Sequence, residues 1–176
     1  MSFDFPSFST DRLTLRVPQA QDLAPWTAFF MSERSQYIRE TEPTEALAWR
    51  AFGHAAGMWM LRGYGSFVIT RKDTPDTALG MVVGPWFPVG WSEPELGWTI
   101  WNTSIEGTGI AFEAVQAARR YAYDVLAWDR PVSYIARDNA RSIKLAERLG
   151  ATLDPSAQHP FAHKDILVYR HPKVLP

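Results

Sequence analysis

The sequence contains no cysteine in its 176 residues, which excludes disulfide bonds, a thiolate nucleophile and cysteine-ligated zinc. It has no apolar run approaching the roughly 18 residues of a membrane span, and no basic-then-apolar secretory signal at its N-terminus. Excess charge is also lacking, since the formal net charge is −1, which argues against nucleic acid as the main partner. These absences predict a cytoplasmic protein that acts on neither membranes nor nucleic acids.

What the sequence does contain is typical of one folded domain over residues 1–176. The hydrophobic fraction is 46% and the charged fraction 21%, without a low-complexity tract or linker, and the length suffices for a substantial core. Aromatic residues are abundant, with eight tryptophans, ten phenylalanines and six tyrosines. They predict wide apolar contacts in a core, in a binding pocket or at a homodimer surface, and the sequence leaves these three open.

The most informative segment is 105–127, where a two-glycine loop leads directly into an amphipathic helix. Upstream, residues 95–101 have the composition of a strand. A helix N-terminus presents unpaired N–H groups and the positive end of a dipole, and Gly107 and Gly109 keep side chains away from it. Strand, loop and helix together predict a seat for a phosphate-bearing ligand. The core face of the helix follows a 3.6-residue period through Ala111, Ala114, Val115, Ala118, Ala122, Val125 and Leu126.

Two common phosphate ligands do not fit the spacing of these glycines. A nucleoside-triphosphate loop requires a lysine directly after the second glycine, and none follows Gly109. A dinucleotide fingerprint requires a third small residue at the position of Phe112. The glycine pair alone is equally compatible with a tight turn that binds no ligand.

A second strand and helix follow at residues 132–150. Residues 132–135 form a short β-rich run, and Asp138 or Asn139 is a good N-cap for the helix that comes next. Ile143, Ala146 and Leu149 share one face of that helix, and Gly150 is a natural stop.

The two segments together resemble the acyl-coenzyme-A-binding core of the GNAT-type N-acetyltransferase superfamily. The family signature is Gln/Arg-x-x-Gly-x-Gly/Ala, followed by Asn-Ala-x-Ser/Ala and Leu-Gly; residues 106–111, 139–142 and 149–150 resemble it. An opening strand at residues 10–16 and the order of elements extend the resemblance to about residue 170. The Asn-Ala-Arg-Ser helix and the Glu-Leu-Gly-Trp strand are similar to the RimJ/RimL-like branch, the ribosomal-protein N-terminal acetyltransferases.

The pattern of the chain predicts an α/β fold, α+β in the broad sense. The resemblance implies a GNAT-like mixed, mostly antiparallel central sheet that is splayed in the middle and flanked by helices. Predicted helices begin near Asp22, at the N-cap Thr44, after Gly109 and after Asn139. The predicted strands are 13–17, 66–70, 78–85, 94–101, 132–136 and 166–169.

The resemblance implies that acetyl-coenzyme A is the cosubstrate and lies where strand 94–101 splays from strand 132–136. Its pantetheine amides are expected to pair with the first strand, and one strand N–H to polarise the thioester carbonyl. The pyrophosphate is expected on the amides of the glycine loop. The implied coenzyme-binding residues are Trp98, Thr99, Ile100, Gly107, Thr108, Gly109, Ile110, Ala111, Phe112, Asn139, Ser142 and Arg148.

Two charged features bear on this site. Arg141, Lys144 and Arg148 form a basic stripe on one helix face, which either meets the ribose phosphate or is merely solvated. Glu106 occupies a motif position where the family usually has Gln or Arg. Because a carboxylate repels a pyrophosphate, either Glu106 points away or the coenzyme binds weakly.

The expected acceptor is a primary amine, on a small molecule or a protein N-terminus. An amine with a pKa near ~10.4 needs a base to become neutral at pH 7, and Glu95 is the predicted base, directly or through water, with Glu93 as second candidate. An ordinary exposed strand charge is the alternative. Many family members protonate the thiolate with a tyrosine where this chain has Ala146, so Ser142, one turn earlier, is the predicted acid unless it only caps the helix.

The same residues bear on the reaction scheme. The sequence has no cysteine and no evident Ser/His/Asp constellation, so direct attack in a ternary complex is expected. The departures at Glu106 and Ala146 leave one rival open, an acyl-coenzyme-A-binding module with little or no turnover.

The remaining predictions concern aromatic residues and histidines. Residues 86–94 either wall an acceptor pocket or pack as a hairpin loop. His159 and His163 are separated by Pro160, which prevents a helical metal-ligand pair, so no metal is expected. Aromatic residues at helical spacing that are expected in the core are Trp26, Phe30, Trp49 and Trp59.

Overall fold

A computed structural model describes residues 5–161 and 164–173 of the chain. Its strands form one eight-stranded sheet in the order β1-β2-β3-β4-β5-β6-β8-β7. The strands are β1 (Ser7–Ser9), β2 (Leu13–Arg16), β3 (Phe67–Arg71), β4 (Gly80–Trp86), β5 (Glu95–Ile100), β6 (Val132–Ala136), β7 (Thr152–Leu153) and β8 (Ile166–Arg170).

Four α-helices flank the sheet, and the predicted caps set their ends. The Thr44 hydroxyl accepts a hydrogen bond from the Leu47 amide at 3.2 Å, and Gly63, with a φ of 73°, ends the same helix. The Asn139 side chain accepts from the Ser142 amide, also at 3.2 Å. The helices are α1 (Leu23–Phe30), α2 (Glu45–Arg62), α3 (Ile110–Asp124) and α4 (Ala140–Arg148).

The sheet is antiparallel everywhere except at one place in its middle. There β5 and β6 run parallel, and their only register pair is Glu95 with Val132. Beyond that pair the two strands diverge. The predicted α/β fold, with a mixed, mostly antiparallel and centrally splayed sheet, is confirmed.

Apolar clusters cover both faces of the sheet and fix the direction of each β5 side chain. On one face, Trp98 and Ile100 pack against the α3 cluster. On the other face, α1 and α2 pack over Val68 and Met81. Because side chains alternate along a strand, Glu95 and its neighbours at every second position face α1 and α2.

The structure departs from the sequence prediction in a few elements. The strands β1 and β7 were not predicted, because three- and two-residue strands carry too little alternation to be recognised. Trp49, expected in the core, is 63% exposed. The buried stripe of α2 runs through Ala48, Phe52 and Ala55, so a side chain at position 49 is turned about 100° away from it.

Candidate active site

The separation of β5 from β6 has a local cause in the side chain of Ser133. A backbone hydrogen bond from the Val132 amide to the Pro94 carbonyl, at 2.9 Å, joins the two strands where they run side by side. One step further, the Ser133 hydroxyl donates to the Leu96 carbonyl at 2.5 Å. The Ser133 hydroxyl therefore takes the place of a β6 amide as the donor to the Leu96 carbonyl. The two strands can separate without leaving this carbonyl unpaired.

Behind Ser133 lies a buried relay that the sequence analysis did not anticipate. Arg119 lies 3.2 Å from Nδ1 of His171, whose Nε2 lies 2.9 Å from the Ser133 hydroxyl, and all three residues are buried. Burial, aided by the Arg119 charge, lowers the pKa of His171 to about 3. The imidazole is therefore neutral, accepts from Arg119 at Nδ1 and donates from Nε2 to Ser133. This chain of donors ends on the Leu96 carbonyl and fixes it at the point where the strands separate.

A cavity of about 350 Å³ occupies the splay and is lined from both faces of the sheet. Glu95 and Gly97 reach it from the side of α1 and α2. Asn139 and Ser142 reach it from α4. The structure therefore brings the predicted base and the predicted acid to one cavity. Residues Trp86 and Trp91 also line it, so the 86–94 connection forms a cavity wall.

Glu95 is a buried carboxyl group, with only 8% of the residue exposed. Burial alone raises its pKa to about 8. Gly97 makes the position possible, since a Cβ at residue 97 would lie 3.2 Å from Oε1 of Glu95. A carboxyl group whose pKa is this close to neutrality is a far stronger base than an exposed one.

Glu93, the second candidate base, has a structural partner. Its two carboxylate oxygens accept from Arg170 at 2.5 and 3.1 Å, in a bidentate pair. Arg170 also pairs with Asp154 at 2.9 Å, so the three side chains connect β8 to the loop before β5 and to the residue after β7. Glu95 is therefore the buried carboxyl group of the cavity lining, to which the exposed Glu40 also contributes.

The glycine loop ends where α3 begins. Gly107 and Gly109 have φ values of 73° and 79°, which side chains rarely adopt, and a Cβ at Gly107 would meet open space. The first N–H groups of α3, at residues 110–112, have no partner within the helix. Arg12 holds the loop in place, because it donates to the Thr108 carbonyl at 3.0 Å. Open space, free amides and a helix dipole suit a diphosphate.

The negative charge of Glu106, beside the glycine loop, is neutralised by neighbouring arginines. Glu106 pairs with Arg34 and, at 3.0 Å, with Arg141, so its negative charge is more than balanced. Arg148 stacks over the Phe112 ring at 4.4 Å. Two members of the predicted basic stripe therefore lie beside the loop. Sequence alone could not place Arg34, which is 72 positions from its partner.

The helix α4 contributes Ser142 to the cavity, and one turn later it carries the small residue Ala146. The Ser142 amide is capped by Asn139, while no hydrogen bond to its hydroxyl is found within residues 5–161 and 164–173. Ala146 is fully buried against Ile135 and Tyr169. The hydroxyl of Ser142 is thus the polar group that α4 presents to the cavity.

Neither a metal site nor a membrane-spanning helix is found among the described residues. Within that part of the chain, no cluster of three or more His, Cys, Asp or Glu side chains could hold a metal ion. His163 lies outside the described residues. Nor does any helix there have the length and apolar character needed to cross a bilayer.

The opened sheet, the glycine loop at a helix N-terminus beside the opening and the buried carboxyl group in the cavity agree with the expected acyl-coenzyme-A-dependent transferase. The chain belongs to the GNAT acetyltransferase family, since the family model described as "Acetyltransferase (GNAT) domain" matches residues 12–152. The predicted family and the prediction of an acetyl-coenzyme-A-dependent acetyltransferase are thereby confirmed. No curated protein sequence matches the chain.

Solved structures agree with this assignment. The acetyltransferase from Agrobacterium tumefaciens str. C58 is 33% identical, with a TM-score of 0.85 over 97% of this chain and 96% of that one. The ribosomal-protein-S5-alanine acetyltransferase from Vibrio fischeri shares the fold at 16% identity, with a TM-score of 0.70 over 96% and 97%. So does the microcin C7 self-immunity acetyltransferase MccE, solved with acetyl-coenzyme A and AMP, at 16% identity and a TM-score of 0.69 over 92% of each chain.

Proposed function

We propose that the protein transfers the acetyl group of acetyl-coenzyme A to a primary amine by direct attack in a ternary complex. The observation that carries this proposal is the single cavity in the β5–β6 splay, which Glu95 enters from one face and Ser142 from the other. A donor threaded through the splay would have its thioester between these two groups.

The donor would be held by backbone groups and by charge. The amides at the start of α3 suit the diphosphate, and the arginines held by Glu106 add positive charge beside it. The edge of β5 that faces β6 is free of ladder pairing beyond Glu95, so the backbone of Trp98, Thr99 and Ile100 lies along the opening for the pantetheine amides.

In the reaction, the Glu95 carboxylate takes a proton from the ammonium form of the acceptor. The neutral nitrogen then attacks the thioester carbonyl carbon, the C–N bond forms and the C–S bond breaks, while the nitrogen releases its second proton to solvent and Glu95 afterwards does the same. The leaving thiolate takes its proton from the Ser142 hydroxyl, which is restored from solvent. Each step uses a group that lines the same cavity.

Thiol release from acetyl-coenzyme A, measured against a panel of primary amines and peptides, tests the proposal. Wild-type protein is expected to release coenzyme A only when an amine is present. Glu95→Gln and Ser142→Ala should still bind acetyl-coenzyme A but turn over more slowly. Full activity in either variant removes that residue from the mechanism, and binding without release for every amine indicates a coenzyme-A-binding module instead.

A further inference from the structure

Aromatic rings form much of the lining of the cavity. Trp91, Tyr134 and Phe161 meet edge to face, with centroids 5.3, 5.5 and 5.9 Å apart. In another part of the lining, the rings of His54 and Trp86 have centroids 4.7 Å apart. Such walls favour a flat, apolar body over an extended polar chain.

The size of the cavity limits what can enter. About 350 Å³ lies near the small end of the range for small-molecule sites. The floor between the walls is formed by Val83 and Gly97, which pair with each other across β4 and β5. This space suits a compact molecule of one ring and a short arm.

Ser66 supplies a polar group at the far end of the same cavity. The residue is fully buried, and within the described ranges its hydroxyl has no hydrogen-bond partner. Extending the β3–β4 register by one residue places Ser66 opposite Val83, which is itself opposite Gly97, so two strand spacings, about 10 Å, separate Ser66 from the Glu95 end. An unpaired buried hydroxyl is costly, and a ligand group that pairs with it recovers that cost.

We propose that the acceptor is a compact aromatic primary amine with a hydroxyl or similar polar substituent on the ring, remote from the amino group. The amino group lies at Glu95, the ring lies between the aromatic walls, and Ser66 hydrogen-bonds the substituent. The aromatic faces also favour the cationic form of the amine on entry. This assignment rests on the proposed acetyl transfer at the same site.

Tyramine and phenethylamine, which differ only in the ring hydroxyl, form a matched pair of probes. Wild-type kcat/KM is expected to be about 3- to 10-fold higher for tyramine, the range of one neutral hydrogen bond. Ser66→Ala should reduce tyramine to the level of phenethylamine and leave phenethylamine unchanged. Ser9→Ala, on the exposed strand β1, is the control and should change neither. Equal wild-type kcat/KM for the two amines overturns the role of Ser66.

Binding gives a readout that does not depend on turnover. Quenching of tryptophan fluorescence by either amine should saturate in the wild type, weaken at least 10-fold in Trp91→Ala, and remain normal in Trp49→Ala, which alters an exposed side chain on α2. Acetylation of peptides without binding or turnover of either amine overturns this inference and leaves the acetyl transfer standing. Ser66-dependent binding of tyramine without thiol release supports the cavity assignment and overturns the transfer.

Discussion

Replacing the buried Glu95 with glutamine should make the protein more stable and less active at once. Burial raises the carboxyl pKa from 4.5 to about 8, so between these values the native state binds a proton that the unfolded chain has lost. Wild-type stability therefore falls as the pH rises through this window. Glutamine keeps the shape of the neutral carboxyl group and does not titrate.

The magnitude follows from the size of the pKa shift. Each unit corresponds to about 1.4 kcal/mol, so Glu95→Gln should gain roughly 3 kcal/mol at pH 7 and roughly 5 kcal/mol above pH 8, with almost no gain below pH 4.5. For a chain of this length, the gain at pH 7 corresponds to a rise in Tm on the order of 10 °C.

Urea denaturation of both proteins at several pH values between 5 and 9 measures this difference. Glu93→Gln is the matched control, because it breaks a bidentate pair with Arg170 and should destabilise the protein by about 1–3 kcal/mol. A stability difference between Glu95→Gln and wild type that stays flat from pH 5 to 9 would refute the assignment of a buried, neutral carboxyl group.

Three further outcomes are expected. The kcat/KM of the wild type should rise with pH as Glu95 loses its proton and should level off above about pH 8. The pH–rate profile of Glu95→Gln should lack this rise. Gly109→Val forces a β-branched residue into a φ of 79° and should weaken acetyl-coenzyme A binding more than 10-fold by calorimetry, whereas Gly53→Ala, with open space around it on α2, should bind normally. Ser133→Ala leaves the Leu96 carbonyl and Nε2 of His171 without a partner and should lower the free energy of unfolding by about 1–3 kcal/mol in urea; an unchanged value contradicts the role given to the relay.

The features predicted from sequence are those encoded by neighbouring residues. Thr44 and Asn139 cap their helices as the local pattern predicts, and the glycine loop stands at the start of α3. Alternation along β5 puts Glu95 and Gly97 on one face, but only the fold shows that α1 and α2 cover that face.

Features that depend on distant pairs were not predictable in this way. The partners of His171 lie 38 and 52 positions away, and no local pattern links them. Glu106 was expected to repel a phosphate, but Arg34 and Arg141 reach it from two other elements. The cavity likewise depends on side chains from four strands and three helices, which only the folded sheet brings together.

A solved complex with acetyl-coenzyme A is the most direct test of the account. The expected complex has the diphosphate on the amides of residues 107–112, the pantetheine between β5 and β6, and the acetyl group in the cavity beside Glu95. A diphosphate bound elsewhere, or a splay closed by side chains with the coenzyme outside it, would contradict the account.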